Sequence, residues 1–197
     1  MNEAPFQTPQ DEQGAALLPL SEALAASLLG KGWSLATAES CTGGMIASSC
    51  TDIAGSSLWF ERGFVTYSNA SKHELLGVDW ALIERHGAVS EEVARAMVLG
   101  ALRHSRAQVA LAVTGVAGPQ GGSVDKPVGC VWFAWGVPSL SGPSLGGESA
   151  WIKSERCDFL GDRKAVRLAT TAHALKTLTA LIDSPSGRSI NSAAVDI

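Results

Sequence analysis

The chain has 197 residues, with 46% hydrophobic and 17% charged residues and a formal net charge of −4. That length suits one domain able to bury a core without disulfides or a structural metal. Its Lys and Arg are scattered and form no basic stripe, which argues against nucleic acid or an anionic membrane as partner, while local arginines leave room for a small anionic ligand.

Residues 1–18 contain Pro5, Pro9 and several Gln and Glu without periodicity, so a mobile N-terminal tail is expected. From Leu20 to Leu29 apolar residues recur at helical spacing, and Gly30 and Gly32 stop that helix before a strand at Ser34 to Ala38. Thr42 to Thr51 reads as a helix opening with Gly43-Gly44, followed by a turn at Gly55-Ser56-Ser57 and a strand over Phe60 to Tyr67. Ser71 begins a short helix that Gly77 ends. Val89 to His104 is the clearest helix, with Ser90 as N-cap and Glu91 and Glu92 in its first turn, and it feeds the apolar strand Gln108 to Val113. A glycine-rich loop from Thr114-Gly115 to Gly122 precedes a strand at Val128 to Trp135. The Pro-, Gly- and Ser-rich segment 138–148 is an expected exposed connection to a strand near Ala150 to Cys157. A last helix from Arg163 to Leu181 leads to a second tail, 183–197, leaving one domain over 19–182. Strands interleaved with helices predict an α/β fold with a mixed central sheet.

Ser40 falls between an apolar strand and a helix that opens with two glycines, where backbone N–H groups converge. A nucleophile there would have oxyanion donors at hand from Thr42, Gly43 and Gly44. The same spacing fits Ser40 or Thr42 as a plain N-cap, and the residues alone leave both open. His73, His86, His104 and His173 occupy no distinctive setting and read as surface histidines, and the Gly-x-Ser-x-Gly elbow is absent because Ala38 and Thr42 stand at its glycine positions. A lysine can act as base if burial lowers its pKa, and Lys72 follows Tyr67 closely across a turn into a helix. Ser123 and Lys126 match Ser-x-x-Lys, but Pro127 denies that motif its helix.

Thr114, Gly115 and Gly118 form a loop able to cradle an anion, without the glycine order of a dinucleotide site or a P-loop. Arg163 and Arg167, one helical turn apart, could clamp a phosphate or simply be solvated. Cys41, Cys50, Cys130 and Cys157 include no CxxC pair and no Cys/His cluster at zinc-ligand spacing. Neither Asp125 nor the Glu91-Glu92 pair has a partner at ligand spacing, so no metal and no cofactor are expected. No apolar run is long enough to span a bilayer and no secretory leader is evident, so a soluble, cytoplasmic protein with free thiols is expected.

Taken together, Thr37-Ala38-Glu39-Ser40-Cys41-Thr42-Gly43-Gly44, Tyr67-Ser68-Asn69 with Lys72, Gly87-Ala88-Val89-Ser90, Ala112 through Pro119, Lys126-Pro127-Val128-Gly129 and Gly161-Asp162-Arg163 resemble the C-terminal domain of the CinA (competence/damage-inducible) family. The resemblance covers roughly residues 20–181. It implies a three-layer α/β sandwich and a nicotinamide-nucleotide amidase of the Ser/Lys type, acting in NAD salvage. By the same resemblance Ser40 is the nucleophile, Lys72 the base and Tyr67 an assisting hydroxyl, with Thr114 touching substrate and Arg163 its phosphate. It further implies a small nucleotide substrate and a homo-oligomer, a dimer, in the stand-alone form without the N-terminal nucleotide-processing domain that some members carry. The rival expectation is a nucleotide-binding or regulatory module that keeps the pocket without turnover. A reductase using Ser, Tyr and Lys fits less well, since Tyr67 and Lys72 are five apart rather than four and no dinucleotide fingerprint precedes them.

Overall fold

The computed structural model describes residues 9–138 and 150–184. Positions 139–148 of the expected connection, residues 1–8 of the expected N-terminal tail and nearly all of the expected C-terminal tail therefore lie outside the described residues. The first helix, α1 (Pro9–Lys31), starts well before Leu20. Leu17, Ser21, Leu24 and Leu28 recur at helical spacing and are all buried, so this turn of chain belongs to the core and not to a tail. Proline is tolerated at the first helical position because the N–H it lacks would have no partner there.

Then follow β1 (Leu35–Glu39), α2 (Met45–Thr51) and β2 (Phe60–Val65). Next come α3 (Asn69–Leu76), α4 (Trp80–His86), α5 (Glu91–Arg103) and β3 (Val109–Gly115). The chain closes with β4 (Cys130–Pro138), β5 (Ala150–Asp158) and α6 (Arg163–Asp183). Helix α4 has no counterpart in the sequence reading, although Asp79 signals its start by accepting from the Ala81 N–H. Helix α3 starts at Asn69 rather than Ser71, capped by Ser68: its hydroxyl accepts from the Ser71 N–H while Ser71 Oγ accepts from the Ser68 N–H. Gly77 ends that helix in the left-handed region, as its position in the sequence suggests.

The five strands run in the order β2-β1-β3-β4-β5. The first three are mutually parallel and β4 and β5 antiparallel, which makes the sheet mixed. Its two faces differ in bulk. Leu35, Val109, Leu111, Val113, Val131, Phe133 and Trp135 face a core shared with α1, α2 and α6. On the opposite face Ala36, Ala38, Ala110, Ala112 and Ala134 admit α5 closely, and residues of α3 and α4 complete that second core. Strand side chains alternate between faces, so the large and small residues sort themselves by parity along each strand. At the α5 and α3 contact a Cβ on Gly100 would lie 2.1 Å from the Leu76 carbonyl oxygen, and only glycine fits. The result is an α/β/α sandwich in which the C-terminal ends of three parallel neighbouring strands open on one edge.

Candidate active site

That edge gathers the candidate residues. Because β2, β1 and β3 are parallel neighbours, the residues that follow them, Thr66-Tyr67, Ser40 and Thr114-Gly115, arrive side by side. The ladders continue one step beyond the strands, with the Thr66 N–H donating to Glu39 O at 2.7 Å and the Ser40 N–H to Val113 O at 3.0 Å. In open α/β sheets ligands bind at this carboxyl edge.

Lys72, on the first turns of α3, reaches under the edge and is 1% exposed. Its Nζ donates to the Thr66 carbonyl at 2.8 Å and lies 3.1 Å from Ser40 Oγ. Burial disfavours the ammonium and lowers its pKa from 10.5 to about 8. Near pH 7 about a tenth of the molecules thus hold a neutral amine, able to accept the Ser40 proton. The adjacent thiol is no competitor: burial pushes Cys41 up to about 12, so it stays protonated and poorly nucleophilic.

Glu39, which sequence reasoning did not single out, organises the turn. It is fully buried, and one oxygen accepts from Thr42 Oγ1 at 2.7 Å and from the N–H groups of Gly44 and Ile46, both at 3.0 Å. Its other oxygen accepts from the Ala47 N–H at 2.8 Å. The carboxylate thereby takes the unpaired donors at the start of α2, whose own N-cap, Gly44, has no side chain to offer. The only sequence clue was an acid immediately before a serine, a pattern without a known meaning by itself. With both oxygens engaged, Glu39 offers no metal a ligand set.

The same bonds redistribute the expected oxyanion donors. The Gly44 N–H is taken by Glu39 and the Gly43 N–H by Ser40 O at 3.1 Å. The N–H groups of Thr42 and of Cys41 have no oxygen acceptor among the described residues and face only the Cys41 sulfur. Gly43 and Gly44 instead supply positive φ values of 59° and 93° that close the turn.

Thr114 is buried beside Ser40 and donates to Ala88 O at 2.8 Å, which ties the end of β3 to the segment before α5. Gly115 and Gly118 are places of close approach: a Cβ would meet Val131 at 2.7 Å in the first case and Val128 at 2.5 Å in the second. Tyr67 is 59% exposed, and its Oη accepts from Arg163 Nη2 at 2.9 Å rather than contacting Ser40 or Lys72. Arg163 Nη1 also donates to Gly118 O at 2.9 Å, so one guanidinium joins the β2 and β3 loops. Arg167 donates through Nη2 to Thr42 O at 2.6 Å and supports the turn that follows Ser40. The two arginines therefore have different duties. Together with Lys164, which the sequence reading passed over, they line a cleft of ≈ 790 Å³ at the start of α6, bordered by Pro119 and Val128.

The histidines are engaged elsewhere. His73 Nδ1 pairs with Val78 O, His104 Nδ1 with Gly100 O, and His86 with Glu92, while His173 packs among aromatic side chains. No helix among the described residues is long and apolar enough to cross a membrane.

The fold and the site define an α/β sandwich that presents a serine hydroxyl to a buried lysine at the edge of its parallel strands, beside a cationic cleft. The chain belongs to the CinA C-terminal domain family, whose pattern matches residues 17–182. It is 51% identical over 158 residues to the nicotinamide-nucleotide amidohydrolase PncC of Enterobacter agglomerans, covering 80% of this chain and 90% of that one. To the protein of the same name in Escherichia coli K12 it is 50% identical over 162 residues, covering 82% and 92%. Among solved structures, a CinA superfamily protein of Klebsiella pneumoniae superposes with a TM-score of 0.75 at 34% identity, covering 83% of this chain and 96% of that one. The competence/damage-inducible protein CihA of Agrobacterium tumefaciens gives 0.71 at 39% identity, covering 91% and 99%.

Proposed function

We propose that this chain hydrolyses the carboxamide of nicotinamide mononucleotide, giving nicotinate mononucleotide and ammonia, with Ser40 as nucleophile and Lys72 as general base. The observation that carries the reading is the 3.1 Å approach of a buried, pKa-lowered Lys72 to Ser40 Oγ. Neutral Lys72 takes the Ser40 proton as Oγ attacks the carboxamide carbon, and the Cys41 and Thr42 N–H groups receive the oxyanion. The resulting ammonium gives its proton to the departing nitrogen, and ammonia leaves. Water, deprotonated in turn by Lys72, attacks the acyl-enzyme, and the lysine returns that proton to Ser40 Oγ as the acyl bond breaks and the nicotinate product leaves. The Thr66 carbonyl holds the lysine in place throughout, which gives the segment before Tyr67 its part in catalysis. Tyr67 acts through Arg163, fixing the guanidinium at the mouth of the cleft.

Arg163 and Lys164 are the phosphate-binding cations, since they stand at the α6 end of the cleft without carboxylate partners among the described residues. Arg163→Ala is expected to raise KM for nicotinamide mononucleotide by about tenfold or more with a smaller change in kcat, whereas Arg167→Ala is expected to lower kcat by loosening Thr42. Steady-state kinetics on both variants separates the two duties, and equal effects on KM would contradict the assignment.

The direct test is ammonia release by the purified chain from nicotinamide mononucleotide, nicotinamide riboside and free nicotinamide. Turnover is expected with the mononucleotide and far less with the two that lack phosphate. Tight binding of the mononucleotide without ammonia release would overturn the enzyme reading.

A further inference from the structure

On the far side of the sheet from α5, Glu155 and Cys157 of β5 meet His173 of α6. Two residues apart on a strand, the acid and the thiol point to the same face, and α6 brings the imidazole down onto them. Cys157 Sγ lies 3.6 Å from His173 Nε2 and 3.7 Å from Glu155 Oε1, and Nε2 lies 3.6 Å from Oε1. A tetrahedral zinc ion with bonds of about 2.3 Å to sulfur and about 2.0 Å to nitrogen and oxygen spaces its ligands by about 3.3–3.6 Å, close to this triangle.

Neighbouring groups hold the imidazole and the carboxylate in that orientation. The imidazole stands edge-on against Phe133 at 4.9 Å, Trp135 at 6.0 Å and Phe159 at 6.2 Å, which aims Nε2 at the thiol. Lys153 Nζ pairs with Glu155 Oε2 at 3.1 Å and so leaves Oε1 facing the other two. The side chains of His173 and Glu155 are 28% and 34% exposed, so an ion has a path in and a water molecule room for a fourth position.

We propose that Glu155, Cys157 and His173 form a site for a zinc-class divalent cation, with Oε1, Sγ and Nε2 as its protein ligands and solvent as the fourth. The mixture of thiolate, imidazole and carboxylate selects zinc over magnesium or calcium, which require oxygen ligands. On binding, the thiol proton passes to solvent and the sulfur becomes a ligand. The ion would pin the edge strand β5 to α6. Along that helix His173 is ten residues from Arg163, about 15 Å, so the site anchors the helix that carries the cleft cations without reaching them.

The test uses the reduced, chelator-treated full chain titrated with Co(II) and then Zn(II). The expected result is one Co(II) per chain with a thiolate-to-cobalt charge-transfer band in the near ultraviolet, displaced by Zn(II). Cys157→Ser is expected to abolish the band and weaken Zn(II) binding by at least about 100-fold, and Glu155→Gln and His173→Gln to weaken it as well. Cys157→Ser should retain the ammonia-release rate, which shows that it folds. Absence of the band in the unsubstituted chain, or undiminished zinc affinity in Cys157→Ser, would overturn the proposal; Cys41, Cys50 and Cys130 are buried and offer no accessible alternative thiol.

Discussion

Ser40→Ala is expected to lower kcat for ammonia release by roughly 10⁴-fold or more, and Lys72→Met to do nearly as much, with the double variant little worse than either. The two side chains act as one unit: without the hydroxyl no acyl-enzyme forms, and without the amine the hydroxyl keeps its proton. Full activity in Ser40→Ala would sink the nucleophile assignment, and additive losses would argue against a shared step. The pH dependence follows from the same pair. Only the neutral amine is a base, so kcat/KM should rise with pH and level off above about 8, where Lys72 has lost its proton.

Stability should carry the same signature. Between about 8 and 10.5 the unfolded chain binds a proton at Lys72 that the folded chain does not, so unfolding free energy climbs with pH across that window and is lost as pH falls through it. A depression from 10.5 to about 8 corresponds to about 3 kcal/mol. Lys72→Met removes this term, and denaturant titrations of both proteins at several pH values should show the unsubstituted chain gaining on the variant as pH rises from 8. Parallel curves would mean that the amine is not desolvated.

Glu39→Ala carries the second large effect. It strips the acceptor from Thr42 Oγ1 and from the N–H groups of Gly44, Ile46 and Ala47 together. Leaving a buried donor unpaired costs about 1–3 kcal/mol. With water reaching the half-buried members, a net loss of about 3–5 kcal/mol is expected, on the scale of breaking a buried charged network. Glu39→Gln is the sharper test of positioning, because the amide keeps the shape but turns an N–H toward donors already there. Its kcat should fall more than its KM rises, since the turn that aims Ser40 and the Thr42 N–H shifts while the cleft cations stay put. Unchanged kcat and melting temperature in Glu39→Gln would remove Glu39 from that role.

Much of the scaffold was legible in the chain order. Ser90 before Glu91-Glu92, Gly77 after Leu76 and the apolar run Gln108 to Val113 are local signals, and local backbone physics honours them. The start of α1 was not, because Leu17 gains its meaning only from the core that receives it. Nor was α4, whose seven residues carry too little periodicity to separate from a loop.

Residue chemistry by itself brought Ser40, Lys72, Thr114 and Arg163 forward as candidates without choosing between a nucleophile and a helix cap, and the ordered set of motifs gave the family. What only the tertiary structure decided was who touches whom. Parallel pairing of β2, β1 and β3 sets Thr66, Ser40 and Thr114 in a row, and burial of α3 against that row brings Lys72 to Ser40 across 32 residues of sequence. It also turned Gly44 from an oxyanion donor into a partner of Glu39 and gave Arg167 to the Thr42 carbonyl. Cys157 and His173, sixteen positions apart and in no recognised ligand spacing, became neighbours in the same way. Contacts of this kind depend on sheet order and helix docking, long-range choices that no window of sequence contains.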